Sequence, residues 1–134
     1  MKKIERKLRN VLRHWGFGEI ESAIFATLAT SDGLTAQEIS HSIGYAYSTT
    51  INSLNNLIRL GYVERMRGDK KFIYFANLDF VKIMERESKK ISSLLRELFD
   101  EIHEIEDSYK DRLKKLKAKI EKAIKYLEGK KAPE

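Results

Sequence analysis

The side chains of this sequence best placed to do chemistry form hydrogen bonds and carry positive charge. Tyr47, Ser48, Thr49, Asn52, Ser53 and Asn56 fall in a stretch with no Lys, Arg, Asp or Glu. On a helix that turns Thr50, Leu54, Leu57 and Ile58 toward a core, they take the N-terminal and outward positions. An Asn carboxamide matches both hydrogen-bonding groups on an adenine edge, hydroxyls reach bases or phosphates, and a Tyr reaches a backbone oxygen. Asn is a poor helix former, so Asn52, Asn55 and Asn56 in five positions point to use rather than solubility. Arg65, Arg67, Lys70 and Lys71 follow, with the charge needed to hold phosphates.

Catalytic chemistry is not legible. His14, His41 and His103 lack ligand spacing and have no carboxylate cluster beside them, so no metal is expected. The absence of Cys removes thiol nucleophiles, disulfides and Cys-ligated zinc. No Gly-rich phosphate cradle, nucleophile elbow or Ser, His, Asp spacing occurs, so neither an enzyme nor a cofactor site is expected.

The charge is unevenly placed. Of a net +6 over 134 residues, residues 1–15 carry +5 and residues 59–78 carry +3, whereas 16–58 carry −4. Two basic patches thus flank a neutral to acidic middle, which suits a polyanionic partner, nucleic acid before membrane. No run of about 18 apolar residues occurs and no apolar segment follows the basic N-terminus, so a cytoplasmic protein, neither exported nor membrane-spanning, is expected.

Helical periodicity gives a first helix through Ile4, Leu8, Val11, Leu12 and Trp15, ending at Gly16, with its basic residues on the other face. Glu19 and Glu21 open a second helix that buries Ile20, Ile24 and Leu28. Thr35 to Glu38 reads as a capping box for a short third helix burying Ile39 and Ile43. Gly44 turns the chain into the fourth helix, about Ala46 to Leu60, and Gly61 stops it. Tyr62 to Arg67 and Lys71 to Asn77 are β-branched and aromatic, joined by a turn, and predict a hairpin with a basic tip.

From Asp79, a helix cap, to Glu128 there is neither Gly nor Pro. An unbroken helix there would run roughly 75 Å, beyond what one small domain can cover. Another chain must cover its apolar stripe, or the helix must fold back on itself. Ile91, Leu95, Leu98, Ile102, Ile105 and Tyr109 step by four and three as in a coiled coil. Tyr109 to Leu113 is a second four in succession, a stutter, before Leu116, Ile120, Ala123 and Leu127. A break is expected near 106–110, where the segment charge changes from −4 over 79–107 to +6 over 108–134. Antiparallel packing of the halves brings these charges together. The tail Lys130 to Glu134 is expected to fray.

Helix, turn, helix and hairpin in this order make a winged helix-turn-helix, so the fold class expected is mainly α with a small β-hairpin and a long C-terminal coiled-coil-type helix. The domains expected are 1–78 for DNA binding, with the first helix able to join a dimer interface, and 79–129 for dimerisation through Ile91, Leu95, Leu98, Ile102, Ile105, Tyr109, Leu113, Leu116 and Ile120. Gly44, Thr49, Leu54, Leu57, Gly61-Tyr-Val63, Gly68, Lys70-Lys71 and Tyr74 stand at spacings that resemble the recognition helix and wing of MarR-type transcriptional regulators. Trp15-Gly16-Phe17 and Leu34 to Ile39 draw the resemblance toward the GbsR-like branch, and it covers about residues 8–78. It implies a homodimer on double-stranded DNA and, in some members, a small-molecule effector. Ala46 departs from the Ser usual there, and Asn55 and Asn56 stand where a basic residue is usual. No chain remains for the sugar-binding domain of the related TrmB regulators. A protein-interaction winged helix and a sequence-neutral architectural DNA binder are the alternatives.

Overall fold

Continuous burial from Ser22 to Leu28 makes the second helix the centre of the N-terminal unit. The sequence predicted one apolar face, Ile20, Ile24 and Leu28, but Ala23, Ala26 and Thr27 are small enough for neighbours to close on every side. The computed structural model describes residues 2–105 and 107–129, so the tail from 130 lies outside the described residues. It divides the chain into two compact units, Met1–Leu78 and Asp79–Glu134. The first holds α1 (Lys2–His14), α2 (Glu19–Ala29), α3 (Ala36–Ile43), α4 (Tyr47–Arg59), β1 (Val63–Arg67) and β2 (Phe72–Ala76). The second holds α5 (Phe80–Glu104) and α6 (Asp107–Glu128).

In the first unit Ile24, Phe25, Leu28, Ile39, Leu54, Leu57 and Val63 are almost wholly buried, each burial worth about 1.5–3 kcal/mol. Local signals set the boundaries. The Thr35 hydroxyl accepts from the Glu38 N–H (3.2 Å) while the Thr35 N–H donates to the Glu38 carboxylate (3.0 Å), the predicted capping box. Gly44 ends α3 at φ +77°, a left-handed conformation that costs other residues energy. At the end of α4, the Gly61 N–H donates to the Ile58 carbonyl and the Tyr62 N–H to the Leu57 carbonyl, the paired C-terminal closure that φ +84° at Gly61 permits.

β1 and β2 pair antiparallel from Val63 with Ala76 to Arg67 with Phe72, leaving Gly68 to Lys71 as the tip. Leu34 joins them in a short bridge, exchanging hydrogen bonds with Tyr74 at 3.1 and 2.8 Å. The sequence gave no sign of this third, one-residue strand, because a single paired residue has no periodicity. It ties the wing to the start of α3. α1 packs on α2 through the buried Leu12, and the Thr30 hydroxyl donates to the Glu5 carboxylate at 3.2 Å. Ile4 and Val11, expected on its buried face, are 56% and 59% exposed.

In the second unit the Asp79 carboxylate caps α5 by accepting from the Lys82 N–H. The long helix ends at Glu104 and a second begins at Asp107, close to the stutter. The halves fold back on each other in antiparallel fashion: Arg96 lies 3.3 Å from Glu128, and Lys117 lies 2.8 Å from His103. Ile102, Ile120 and Ile124 form the core of this hairpin, flanked by Leu95, Phe99 and Leu113. Lys117 also lies over the Phe99 ring at 5.0 Å.

Candidate nucleic-acid interface

Helical geometry sorts the six candidate residues of α4. Thr50, Ser53, Leu54 and Leu57, at i, i+3, i+4 and i+7, form its buried face. Ser53, which the sequence reading placed outward, is therefore turned to the core and is 9% exposed. Tyr47, Ser48 and Asn52 are exposed, while Thr49 and Asn56 are half-buried. The Asn56 carbonyl oxygen accepts from the Arg59 guanidinium, which fixes the carboxamide along the helix. The outward ridge is Ser48, Asn52, Asn55 and Arg59, spaced four, three and four. Asn55 and Arg59 were not among the predicted site residues, although the same helical spacing from Ser48 and Asn52 leads to both.

α4 begins with Ala46 as N-cap, which has no side-chain acceptor to offer the first N–H groups. Backbone donors at a helix start are suited to an anionic oxygen. Beside them runs an open groove of about 870 Å³ between α3, the start of α4 and the wing. α3 contributes Gln37, Ser40 and His41, a polar face that the sequence reading passed over because it looked only for the buried Ile39 and Ile43. Tyr45 and Tyr47 form the near wall and Arg67, Lys70 and Lys71 the wing side. The Lys71 ammonium donates to Gln37 Oε1 at 3.1 Å and so bridges wing and α3.

The wing presents its charge in an ordered way. Arg65 and Arg67, two apart on β1, share one face, and their guanidinium carbons lie 4.1 and 5.0 Å from the Phe72 ring centroid. Such contacts are worth about 0.5–1 kcal/mol at exposed sites and hold the forks without neutralising them. Among the described residues none of Arg65, Arg67, Lys70 and Lys71 forms an ion pair. The Glu38 carboxyl is held below its usual 4.5 by hydrogen bonds from the Thr35 backbone and hydroxyl, with a smaller contribution from Lys71. It stays ionised as a cap, and its negative charge sits behind the groove rather than on the α4 ridge.

The dimerisation residues expected from the sequence fall into two sets. Ile102 and Ile120 are buried within the helical hairpin, with Leu95 and Leu113 packed against them and Ile105 half-buried. Ile91, Leu98, Tyr109 and Leu116 are instead 44–47% exposed. The turn after Glu104 resets the helical phase, so α6 turns Leu113, Lys117, Ile120, Ile124 and Leu127 inward and Leu116 outward. Among the described residues no three His, Asp or Glu side chains are grouped to hold a metal ion, and no helix is long and apolar enough to cross a membrane.

A helix-turn-helix followed by a basic two-stranded hairpin defines a winged-helix transcriptional regulator. The chain belongs to the TrmB family: the model described as sugar-specific transcriptional regulator TrmB matches residues 12–80. The winged-helix, MarR-like relationship read from the sequence holds at this level, which does not distinguish the GbsR-like branch. No curated protein is matched significantly. Among solved structures, one transcriptional regulator superposes with TM-score 0.64 at 10% identity, over 95% of this chain and 92% of its own. The transcriptional regulator Tm0710 from Thermotoga maritima gives 0.50 at 21% identity, over 90% and 87%. These likenesses are of fold. The family is one of transcriptional regulators, not of enzymes.

Proposed function

We propose that this regulator binds double-stranded DNA sequence-specifically as a cytoplasmic homodimer, with α4 in the major groove and the wing on the backbone or in the minor groove. The observation that carries this reading is the pairing of two surfaces. A ridge of Ser48, Asn52 and Asn55 free of acidic side chains lies beside a wing whose four basic residues have no acidic partner among the described residues. The first suits base edges and the second suits phosphates. Residues 1–78 act as the reader and 79–129 as the dimerisation segment in this reading.

Dimerisation rests on the apolar surface left over once the helical hairpin has closed. Met84, Ile91, Leu94 and Leu98 are 44–55% exposed and recur at heptad-like intervals along α5. A second copy of the same stripe is the simplest partner for a coiled-coil spacing. The matched family's description as sugar-specific makes a sugar one chemical class of effector to try.

Fluorescence anisotropy on labelled duplex DNA at stepped salt concentrations tests the reading. Affinity falling steeply with salt, and less steeply in Lys70→Ala, is expected. Absent or salt-independent binding would contradict it and favour a winged helix that binds protein.

A further inference from the structure

A pocket of about 380 Å³ lies on the first unit away from the α4 ridge, where α1 meets α2 and the turn between α3 and α4. Arg6, Arg9, Asn10 and Arg13 line it from α1, Glu19 from the start of α2 and Tyr45 from the turn. The arginines recur at i, i+3 and i+7, so helical geometry gathers them on one face. Ile4 and Val11 project from the other side of the same helix, which leaves the arginine face open if those residues join a dimer interface. Three cations thus face one carboxylate. Among the described residues none of the three arginines forms an ion pair, and the Arg9 Nε is buried with no hydrogen-bond partner. A buried guanidinium N–H left unmatched is costly, and an oxyanion is its natural acceptor.

Tyr45 decides between a free anion and a DNA phosphate. The same side chain lines both this pocket and the groove between α3, α4 and the wing. The arginine face therefore continues from the start of the recognition helix, on the side opposite the wing. We propose that Arg6, Arg9 and Arg13 form a second phosphodiester-binding site, which grips the DNA backbone flanking the stretch read by α4. This rests on the duplex-binding reading above and adds to it a contact that lies outside the helix-turn-helix and wing. The planar guanidinium fork suits bidentate capture of a phosphate. Asn10 adds a neutral donor, and Glu19 sits at the start of α2, where the helix dipole offsets part of its charge.

The test compares the full-length protein with Arg6→Gln, Arg13→Gln and their double variant, on duplexes with long and short flanks beyond the selected site. Each single change should lower the slope of log affinity against log salt by about one unit, leave sequence preference unchanged and act only on the long-flank duplex. Arg6 and Arg13 are exposed, so the melting temperature should hold; half-buried Arg9→Gln is read beside its own melting curve. An unchanged slope in the double variant, with Lys70→Ala still lowering it, would overturn this site while leaving the wing reading intact. If neither Lys70→Ala nor the arginine variants alter the slope, the duplex-binding reading itself fails. Inorganic phosphate at constant ionic strength supplies the remaining arm. Phosphate-dependent stabilisation of the wild type but not of Arg9→Gln, with an unchanged DNA slope, would assign the pocket to a free oxyanion and overturn the proposal.

Discussion

Asn52 and Lys70 separate two kinds of contact that a single affinity measurement would merge. Asn52 is exposed at the middle of the α4 ridge with its carboxamide uncommitted to the helix, whereas the Asn56 carbonyl oxygen is taken by Arg59. Asn52→Ala should cost about 1–3 kcal/mol on the preferred site and little on random DNA, with the salt slope unchanged. Lys70→Ala should weaken binding to all sequences alike and lower the slope by about one unit. Titrations on selected and scrambled duplexes at several salt concentrations check both, and the reverse pattern would exchange reader and anchor. Glu38 makes a prediction in pH. Its carboxyl is depressed in the folded chain, so its stabilisation is fully present above the usual 4.5 and is lost as pH falls through the folded value. The melting temperatures of the wild type and Glu38→Gln should therefore converge in acid; a constant gap would show that the ionised cap contributes nothing.

At the scale of elements, the long C-terminal stripe supports two different outcomes for residues that look alike in sequence. Ile102 lies in the core of the hairpin at 6% exposure, and Leu98, one turn earlier, is 44% exposed. Ile102→Glu should unfold or loosen the hairpin by several kcal/mol, because a charge is buried among Ile120, Ile124 and Leu113. Leu98→Glu should leave the helical content and melting of the monomer nearly unchanged and weaken self-association. Circular dichroism and sedimentation, run on both variants, distinguish the two effects. The four-and-three spacing made the stripe legible and the stutter marked the break. The division between inner and outer residues was not legible, since it depends on the phase of α6 after a turn, to which Leu116 and Ile124 are sensitive. Caps and glycines were readable because Thr35, Gly44 and Gly61 act over three or four neighbouring residues. The Leu34 bridge and the outward assignment of Ser53 failed for opposite reasons. The first is a contact distant in sequence, and the second is a small polar residue that fits either face of a helix. The arginine pocket was half legible: the basic face of α1 showed in the charge pattern, but its closure by Tyr45 did not.

For the whole molecule, the account joins one reading head per protomer to an association surface on the helical hairpin. Light scattering at micromolar concentration should give about twice the mass of one chain, and a clean monomer would remove the basis for a two-fold site. Two heads related by a two-fold axis call for an inverted repeat, with half-sites about one helical turn apart. Arg59 at the far end of the α4 ridge and the arginine face of α1 at the near end extend the positive surface beyond the bases that α4 can reach, so the protected stretch should exceed the selected one. The most direct measurement of the central claim is the selection of bound duplexes from a random DNA pool by the wild-type protein, repeated with Asn52→Ala. The wild type should enrich an inverted repeat, and Asn52→Ala should lose preference within each half-site while still retaining DNA. Equal enrichment of all sequences by the wild type, or an unchanged preference in Asn52→Ala, would contradict the assignment of α4 as the reading surface.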